Sequence, residues 1–317
     1  MTKNKNLTRN KNLTSVVIPC YNSEQSISEL VEKILVQKEF CEVILVNDAS
    51  TDDTWTEIQT LSSKFPDQVL GIDLLKNSGQ HAAILTGVKY AKGDVIITMD
   101  DDLQHNPSDI AGMAEQVRKG DDLVYGVSKN LQQKAYRNFS SKLSLWVFDK
   151  VLGMKYVTDS SAFRAFSRRS AIAFEHFKGG IVDVDAILSW TCQKVATREV
   201  EFASREYGRS NYSFRSLLSH AARMVVAFSI VPLRLSFYLG LLTILLAIIL
   251  IAYVLYNYLF GLESVEGFAF LACAIIFFAG VQLFIIGIFG QYLAAIHMQT
   301  LGRPVAAIRK TTSDNAA

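Results

Sequence analysis

The sequence predicts an α/β fold with a mostly parallel sheet, followed by two helices that are long enough to cross a membrane. The first observation is a series of short, β-branched, apolar runs separated by segments with helical spacing. The second is a pair of long stretches without any charged residue. The predicted strands are Ser15–Cys20, Glu42–Val46, Val69–Leu75, Asp94–Met99 and Leu123–Val127. Strands that alternate with helices in this way favour a parallel sheet with helices on both faces.

Two of the intervening segments show the apolar spacing of helices. In the first, Ile27, Leu30, Val31, Ile34 and Leu35 fall on one helical face. In the second, within Gly79–Ala91, the residues sharing a face are Ala82, Leu85, Val88 and Lys89. These two helices connect the first strand to the second and the third strand to the fourth, as a parallel sheet requires.

The two charge-free stretches predict membrane spans. No Asp, Glu, Lys or Arg occurs in Leu235–Leu262 or in Gly267–Leu301. Each stretch exceeds the ~20 apolar residues that a helix needs to cross a hydrocarbon core. A soluble core helix of that length without charge would be rare, so we expect a two-helix transmembrane hairpin.

The distribution of basic residues predicts the orientation of the hairpin. The loop Gly261–Glu266 carries two Glu and neither Lys nor Arg, whereas basic residues flank the spans on both outer sides: Arg215, Arg223, Arg234, Arg303, Arg309 and Lys310. Lys and Arg favour the cytoplasmic side. We therefore expect a plasma (inner) membrane protein whose N-terminal domain and both termini are cytoplasmic. No cleaved signal peptide is predicted, because the start lacks an apolar core.

The predicted domains are five. They are a basic N-terminal tail (1–13), an α/β domain (14–211), an amphipathic interfacial helix (212–232), the two spans (233–300) and a cytoplasmic C-terminal tail (301–317). Tyr212–Val231 alternates apolar residues with Arg215 and Arg223, which suits a helix at the lipid headgroups; packing against the α/β domain is the alternative. Gly280, Gly287 and Gly290 in the second span indicate close helix packing, and a homo-oligomer is expected.

Composition excludes several classes of function. The four cysteines lack CxxC spacing and lie in apolar segments, so buried thiols are expected rather than zinc sites or disulfides. The net charge of +2 gives no indication of nucleic-acid binding. Neither a GxGxxG nor a GxxxxGK[ST] phosphate loop occurs, which argues against a dinucleotide enzyme and a P-loop ATPase.

Polar residues cluster directly after three of the predicted strands. The groups are Pro19, Tyr21 and Asn22; Asn47, Asp48 and Ser50; and Asp100, Asp101 and Asp102. In parallel sheets the ligand lies beyond the carboxyl ends of the strands, so the three groups should meet in one crevice. Asp48 could accept hydrogen bonds from a ribose or a base, while Ser50 or Thr51 could cap the helix that follows.

Three adjacent carboxylates at a strand end predict a cation site. Like charges raise one another's pKa, and a hard divalent cation relieves that repulsion. Asp100 and Asp102 project to the same side of an extended segment. They could hold Mg²⁺ or Mn²⁺, which would grip a diphosphate. The five histidines show no spacing for zinc or a catalytic triad, and His105 is expected to be a solvated loop residue.

Several motifs together resemble the polyprenyl-phosphate sugar transferases of glycosyltransferase family 2, which have a GT-A fold. This group includes dolichol-phosphate mannose synthase, the bactoprenol glucosyltransferases and the undecaprenyl-phosphate 4-deoxy-4-formamido-L-arabinose transferases. The matching stretches are VVIPCYN, VILVNDASTDDT, NSGQHAAILTG, GDVIITMDDDLQHNP, REYGRSNYSF, VPLRLSFYLG and FGQYL. They cover almost the whole chain, and GQHAAI and GRSNYSF lean toward the formamidoarabinose branch.

The resemblance implies roles for individual residues. Pro19, Tyr21 and Asp48 would bind the uracil and ribose end of a UDP-sugar. Asp100 would lie beside the ribose and diphosphate, and Asp102 and Gln104 would ligate the metal together with it. The residues that would meet the phosphates of acceptor and donor are Arg137, Ser141 and Arg205.

The sequence departs from the family pattern at three positions. Ser23 stands where Glu is frequent, Asp101 where Ala is usual, and Asn211 where Lys usually continues the R-x-x-G-x-S motif. The last change removes one phosphate-binding charge, for which Arg209 is a possible substitute.

The implied reaction is an inverting transfer of a sugar to a polyprenyl phosphate at the cytoplasmic membrane face. A lipid phosphate is already ionised near neutral pH, so no strong general base is needed. A processive polysaccharide synthase would share the strand-end motifs, but it usually has more spans and a Q-x-x-R-W motif that is absent here. A non-catalytic membrane scaffold is the other alternative, against which the retained Asp48, Asp100, Asp102 and Gln104 argue.

Overall fold

A computed structural model describes residues 12–37, 41–128, 161–177, 182–202, 229–260, 267–302 and 304–313 of this chain. The described residues divide into two units. The first holds a sheet with its helices and includes the described residues from Gly302 onward. The second holds two long helices. The predicted interfacial helix falls, apart from its last residues, outside the described part of the chain.

The first unit is built on an eight-stranded sheet. In chain order the strands are β1 (Thr14–Cys20), β2 (Cys41–Asn47), β3 (Val69–Leu74), β4 (Val95–Thr98), β5 (Leu123–Ser128), β6 (Arg164–Ser167), β7 (Val195–Val200) and β8 (Ile308–Thr311). Their spatial order is β7-β5-β6-β4-β1-β2-β3-β8. The predicted mostly parallel α/β sheet is confirmed, and all five predicted strands are present.

Parallel pairing brings three strand ends to the same edge of the sheet. β1 pairs in parallel with both β2 and β4, and β2 pairs in parallel with β3. The antiparallel pairs involve β6, which lies between β4 and β5, and β8, which borders β3. Because β1 is flanked by β2 and β4, the segments after these three strands are neighbours in space.

Helices cover both faces of the sheet. They are α1 (Ile27–Leu35), α2 (Thr54–Lys64), α3 (Gln80–Tyr90), α4 (Asp109–Arg118), α5 (Ile172–His176) and α6 (Val184–Ser189). One buried cluster combines apolar residues of α1, α2 and α4 with one face of the sheet, and a second combines α3, α5 and α6 with the other face. The predicted face of α1 is fully buried at Ile27, Leu30, Val31 and Ile34, because these side chains face β-branched residues of β1 and β2.

The second unit contains α7 (Val231–Leu259) and α8 (Gly267–Thr300). Both are long and apolar enough to cross a membrane, and no part of either apolar window is buried within the chain. A soluble core helix would be buried, so the exposure of these surfaces favours a lipid environment. At ~1.5 Å per residue, each helix exceeds the ~30 Å hydrocarbon thickness.

The segment after α8 contains a strand that the sequence did not predict. Residues 301–317 were expected to form a tail, yet β8 pairs antiparallel with β3 through Ile72–Thr311 and Asp73–Lys310. Arg309 Nη1 lies 3.3 Å from Asp73 Oδ2, and the Lys310 ammonium lies 5.0 Å from the centre of the Trp55 ring. The chain therefore leaves the first unit before α7 and returns to it after α8.

Candidate active site

A cavity of about 540 Å³ lies at the carboxyl ends of β1, β2 and β4. The described residues that line it are Pro19, Cys20, Tyr21, Asn22, Ser23, Ser26, Asp48, Asn77, Gly79, Gln80, Asp100, Asp101 and Asp102. The predicted site residues Pro19, Tyr21, Asp48, Asp100 and Asp102 are thus brought together around one space. Gln104 contacts Asp102 next to this lining, whereas Arg137, Ser141, Arg205 and Arg209 lie outside the described residues.

The backbone has a positive φ angle after each of the three strands. The φ angle is +54° at Asn22 after β1, +55° at Ala49 after β2 and +60° at Leu103 after β4. A positive φ is tolerated by Asn but is uncommon for Ala and costly for a bulky residue such as Leu. Strain of this kind concentrates at binding and catalytic sites. Nothing in the residue types Ala49 and Leu103 indicated these turns.

Asp48 is held by the loop between β3 and α3. Its two carboxylate oxygens accept hydrogen bonds from the backbone N–H groups of Ser78 (2.7 Å) and Gly79 (2.8 Å). Gly79 has a φ of +88°, a conformation that glycine adopts without steric cost. The side chain of Asp48 is buried. It therefore joins the end of β2 to the start of α3, whose N-terminal residues line the cavity.

The loops after β1 and β2 are also joined to one another. Asn22 N donates to Ser50 Oγ (3.0 Å), and Thr51 N donates to Asn22 Oδ1 (2.9 Å). The expectation that Ser50 or Thr51 caps the next helix is wrong. The α2 helix begins at Thr54, whose N–H donates to Asp52 Oδ1.

The three consecutive carboxylates face three different partners. Gln80 Nε2 donates to Asp100 Oδ1 (2.6 Å), and Gln104 donates its side-chain Nε2 to Asp102 Oδ2 (2.8 Å). Asp101 Oδ2 accepts from Tyr21 N (3.2 Å) and from the Ser23 hydroxyl. Burial raises the pKa of Asp101, the bonds from Ser23 and Tyr21 oppose that rise, and the neighbouring carboxylate of Asp102 adds to it.

The described lining of the cavity is acidic. Four carboxylates contribute to it, at Asp48 and at the triplet, and no Lys or Arg is among the described lining residues. The charged side chains that a phosphate group would meet among the described lining residues are therefore all negative. A cleft lined by negative charge attracts cations.

His105, expected to be solvated, is buried. Its side chain is 5% exposed, and its ring stacks on Phe163 and meets the edge of Phe202, each with ring centres 5.1 Å apart. Burial lowers the pKa of His105 to about 4; the carboxylate of Asp102 acts in the opposite direction and Arg164 in the same one. His105 is thus a neutral packing residue behind the triplet. The prediction that the cysteines are buried is confirmed for Cys20 and Cys41, whereas Cys192 is half-buried.

Sequence reasoning missed several residues of the cavity wall. Gly79 lies in the loop after β3 and Gln80 begins α3; both belong to the stretch NSGQ, which carried the resemblance without an assigned role. Asn77 belongs to the same stretch. The signal that could have found them is the position of this loop after a third parallel strand, next to the end of β2.

Comparison with known proteins places these features in context. The sequence model of Glycosyl transferase family 2 matches residues 15–179. The undecaprenyl-phosphate 4-deoxy-4-formamido-L-arabinose transferase of Pectobacterium carotovorum subsp. carotovorum (strain PC1) is 32% identical over 310 residues, covering 94% of this chain and 93% of that protein. The enzyme of the same name from Proteus mirabilis (strain HI4320) is 31% identical, with 94% of each chain covered.

Solved structures resemble this chain more distantly. Glucosyl-3-phosphoglycerate synthase from Mycobacterium tuberculosis, crystallised with Mn²⁺, uridine diphosphate and phosphoglyceric acid, is 17% identical with a TM-score of 0.46. The match covers 68% of this chain and 77% of that one.

Proposed function

Because this chain belongs to glycosyl transferase family 2 and is therefore a glycosyltransferase, we propose that it transfers a sugar from a nucleotide sugar, most simply a UDP-sugar, to undecaprenyl phosphate or a similar polyprenyl phosphate. One observation carries the proposal. Tyr21, Asp48, Asp100 and Asp102, which follow three different strands, line one cavity. A cavity of about 540 Å³ is within the size range of small-molecule and cofactor sites.

The nucleoside end of the donor would bind between the loops after β1 and β2. The Tyr21 side chain is 49% exposed at the cavity and offers an aromatic face, and Pro19 lies beside it in the wall. The Asp48 carboxylate is held rigidly by two backbone N–H groups. Each of its oxygens has a second lone pair, with which it could accept a hydrogen bond from a ribose hydroxyl or a base N–H.

Asp100, Asp102 and Gln104 fit Mg²⁺ or Mn²⁺ by their chemistry. No three His, Cys, Asp or Glu side chains form a metal cluster among the residues that the structure describes. Two carboxylates suffice, however, because Mg²⁺ in nucleotide sites is bound by one or two carboxylates with phosphates and water completing its shell. Rotation of the Gln104 amide would present its oxygen where Nε2 now meets Asp102. When bound, the cation would supply Lewis-acid stabilisation of the departing diphosphate.

The acceptor phosphate would attack the anomeric carbon directly, with inversion. Since its second pKa is about 6, the phosphate needs positioning rather than deprotonation. We assign that positioning to Arg137 and Ser141, which are four residues apart and would share a helical face. Arg205 and Arg209 would supply positive charge for the donor diphosphate, which the described lining lacks.

The two apolar helices support a membrane-bound acceptor. The segment before α7 leaves the first unit and the segment after α8 returns to it as β8. Both ends of the hairpin therefore connect to one unit, which requires an even number of membrane crossings. With the basic flanks, this supports a catalytic unit and termini on the cytoplasmic side of the inner membrane.

Self-association would use the glycine face of α8. A Cβ built at Gly280, Gly287 or Gly290 would meet nothing within 4 Å, so the described part of this chain leaves the face uncovered. Small residues allow helices to approach closely in lipid. We propose that copies of this chain pack through it, which crosslinking in the membrane before and after Gly287→Leu would test.

The proposed activity can be tested with the full chain purified in detergent. A panel of UDP-sugars is incubated with undecaprenyl phosphate and Mn²⁺, and UDP release and the lipid product are measured. We expect UDP release only when both substrates are present, with one sugar per lipid. Polymer would indicate a processive synthase, and no release with any donor would indicate a scaffold.

Two variants serve as controls for that test, one expected to be inactive and one expected to be fully active. Asp102→Ala should abolish turnover. Asp67→Ala, which removes an exposed carboxylate from the turn between α2 and β3, should leave turnover unchanged.

The acceptor assignment has its own test. Arg137→Ala should weaken the dependence on polyprenyl phosphate much more than UDP-sugar binding, and Arg137→Lys should recover only part of the activity, because Lys cannot form two parallel hydrogen bonds to one phosphate. A collapse of donor affinity with unchanged acceptor dependence would place Arg137 in the donor site instead.

A further inference from the structure

Asp101, the middle carboxylate of the triplet, has a different environment from its two neighbours. Asp101 Oδ2 accepts the Ser23 hydroxyl hydrogen bond and that of Tyr21 N, at 3.2 Å for the latter. Ser23 Oγ in turn accepts from Tyr21 N at 3.0 Å. We refer to this closed set of three bonds as the Asp101–Ser23 contact. It connects the loop after β4 to the loop after β1.

The contact lies between the two halves of the proposed donor site. On one side is Tyr21, which would meet the nucleoside, and on the other are Asp100 and Asp102, which would meet the cation. Both Asp101 and Ser23 belong to the cavity wall. One oxygen of Asp101 accepts two hydrogen bonds from the β1–α1 loop. This carboxylate is therefore directed toward that loop, whereas Asp100 and Asp102 are expected to bind the cation.

The two partners are also the two strand-end positions at which this sequence departs from the family pattern. In the family pattern that the resemblance implies, Glu is frequent at the position of Ser23 and Ala is usual at that of Asp101. The structure brings these two departures into direct contact. Ser with Asp has the same number of non-hydrogen side-chain atoms as Glu with Ala, and each pair contains one carboxylate. The exchange moves the carboxylate from one loop to the other while conserving both volume and charge.

We propose that Asp101 is a positioning residue, which holds the β1–α1 loop in the conformation that binds the nucleotide, and that Ser23 and Asp101 function as an exchanged pair. This inference rests on the proposed function, since it concerns the nucleotide of the donor. The contact spans a turn in which Asn22, directly after Tyr21, has a φ of +54°. Without Asp101, Tyr21 N would keep Ser23 Oγ as its acceptor, but the Ser23 hydroxyl would lose the carboxylate that orients it, so the loop would sample other conformations.

The inference predicts a pattern over four variants, measured as affinity for UDP with Mn²⁺ by calorimetry of the full chain in detergent. Asp101→Ala should bind UDP about tenfold more weakly, the loss expected for hydrogen bonds to a charged group. Asp101→Asn should lose much less, because its amide oxygen can still accept from Tyr21 N. The double variant Ser23→Glu/Asp101→Ala should return to within about threefold of the wild type.

The fourth variant, Asp67→Ala, controls for the loss of one negative charge and should bind UDP like the wild type. Steady-state kinetics give a second readout. The KM for the UDP-sugar should rise in Asp101→Ala while the KM for polyprenyl phosphate stays unchanged. Thermal melting of each variant shows whether it is folded. If the melting temperature of Asp101→Ala is lowered, the recovery of UDP affinity in the double variant still tests the exchanged pair.

The outcomes separate this inference from the proposed function. If the wild type fails to bind UDP, the proposed function is wrong. If the wild type binds UDP but Asp101→Ala binds equally well, only the positioning role is wrong. A double variant no better than Asp101→Ala would show that the two residues are not an exchanged pair. Loss of binding in Asp101→Asn equal to that in Asp101→Ala would show that the charge of Asp101 acts on the cation, which also contradicts the inference.

Discussion

Replacement of Arg164 by Met should destabilise the first unit more than any single change at its surface. Arg164, in β6, is 4% exposed, and its Nη1 donates to Asp185 Oδ1. The Tyr125 hydroxyl donates to the same oxygen at 2.7 Å. Burial alone would lower the pKa of Arg164, but Asp185 above all, with Tyr125, Asp183 and Asp100, raises it. The guanidinium thus balances several acidic groups.

The size of the effect follows from this burial. Removing one partner of a buried ion pair leaves an uncompensated charge and costs about 3–5 kcal/mol. For a unit of this size, 1 kcal/mol lowers the melting temperature by about 2–4 °C, so a decrease of roughly 6–20 °C is expected. Because the Asp185 side chain keeps 15% exposure, the lower half of that range is favoured. Arg164→Met/Asp185→Leu should recover most of the loss, since an apolar pair of similar volume replaces the ions.

Thermal melting of the detergent-solubilised full chain measures these shifts. The matched control is Arg118→Met, whose ion pair with Asp94 is more exposed, with 24% and 37% of the two side chains accessible. An exposed pair contributes at most about 1 kcal/mol. Equal shifts for Arg164→Met and Arg118→Met would refute the assignment of Arg164 and Asp185 as a buried coupled pair. The same assignment would be refuted if Arg164→Met/Asp185→Leu lost as much as Arg164→Met and Asp185→Leu lose when measured separately and added.

Three further outcomes are expected. Asp102→Ala should abolish turnover without lowering the melting temperature, because only a ligand is lost, and EDTA should have the same effect on the wild type; full activity in EDTA would contradict the cation site. Arg309→Ala leaves the 1% exposed Asp73 without its ion-pair partner and should therefore lower the melting temperature more than Lys310→Ala on the same strand. The opposite order would argue against a stabilising ion pair between β8 and β3. In intact cells, an impermeant thiol reagent should label a cysteine placed in the loop between the two spans but not Ser313→Cys, and the reverse pattern would invert the proposed topology.

The sequence predicted the centre of the sheet well and its edges poorly. Strands β1, β2 and β4 are buried on both faces and therefore read as continuous apolar runs. The two edge strands were missed, since β7 (VATREV) is largely exposed and β8 (IRKT) has two basic residues. Charged residues at sheet edges discourage pairing with other chains, so they also remove the apolar signal. The central strand β6 was missed because it has four residues and begins with Arg164.

The candidate site was likewise predicted only in part from the sequence. The meeting of Pro19, Tyr21, Asp48 and the triplet followed from parallel strand order, which is a property of the fold. Hydrogen bonds between distant loops could not be predicted in this way. The backbone partners of Asp48 are supplied by Ser78 and Gly79, a full strand later in the chain, and the burial of His105 depends on Phe163 and Phe202. Such contacts depend on tertiary distances that periodicity does not encode.

The three partners of the triplet explain how adjacent carboxylates persist at the end of a buried strand. Asp101 is held by the β1–α1 loop, whereas Asp100 and Asp102 receive hydrogen bonds from Gln80 and Gln104. An amide donor orients a carboxylate without neutralising it, so the negative charge is retained for a cation. A Lys at either glutamine position would instead form an ion pair that competes with the metal. In the proposed site the amides would therefore hold the two carboxylates in place before a cation binds, and each would give up a charge-assisted hydrogen bond when it does.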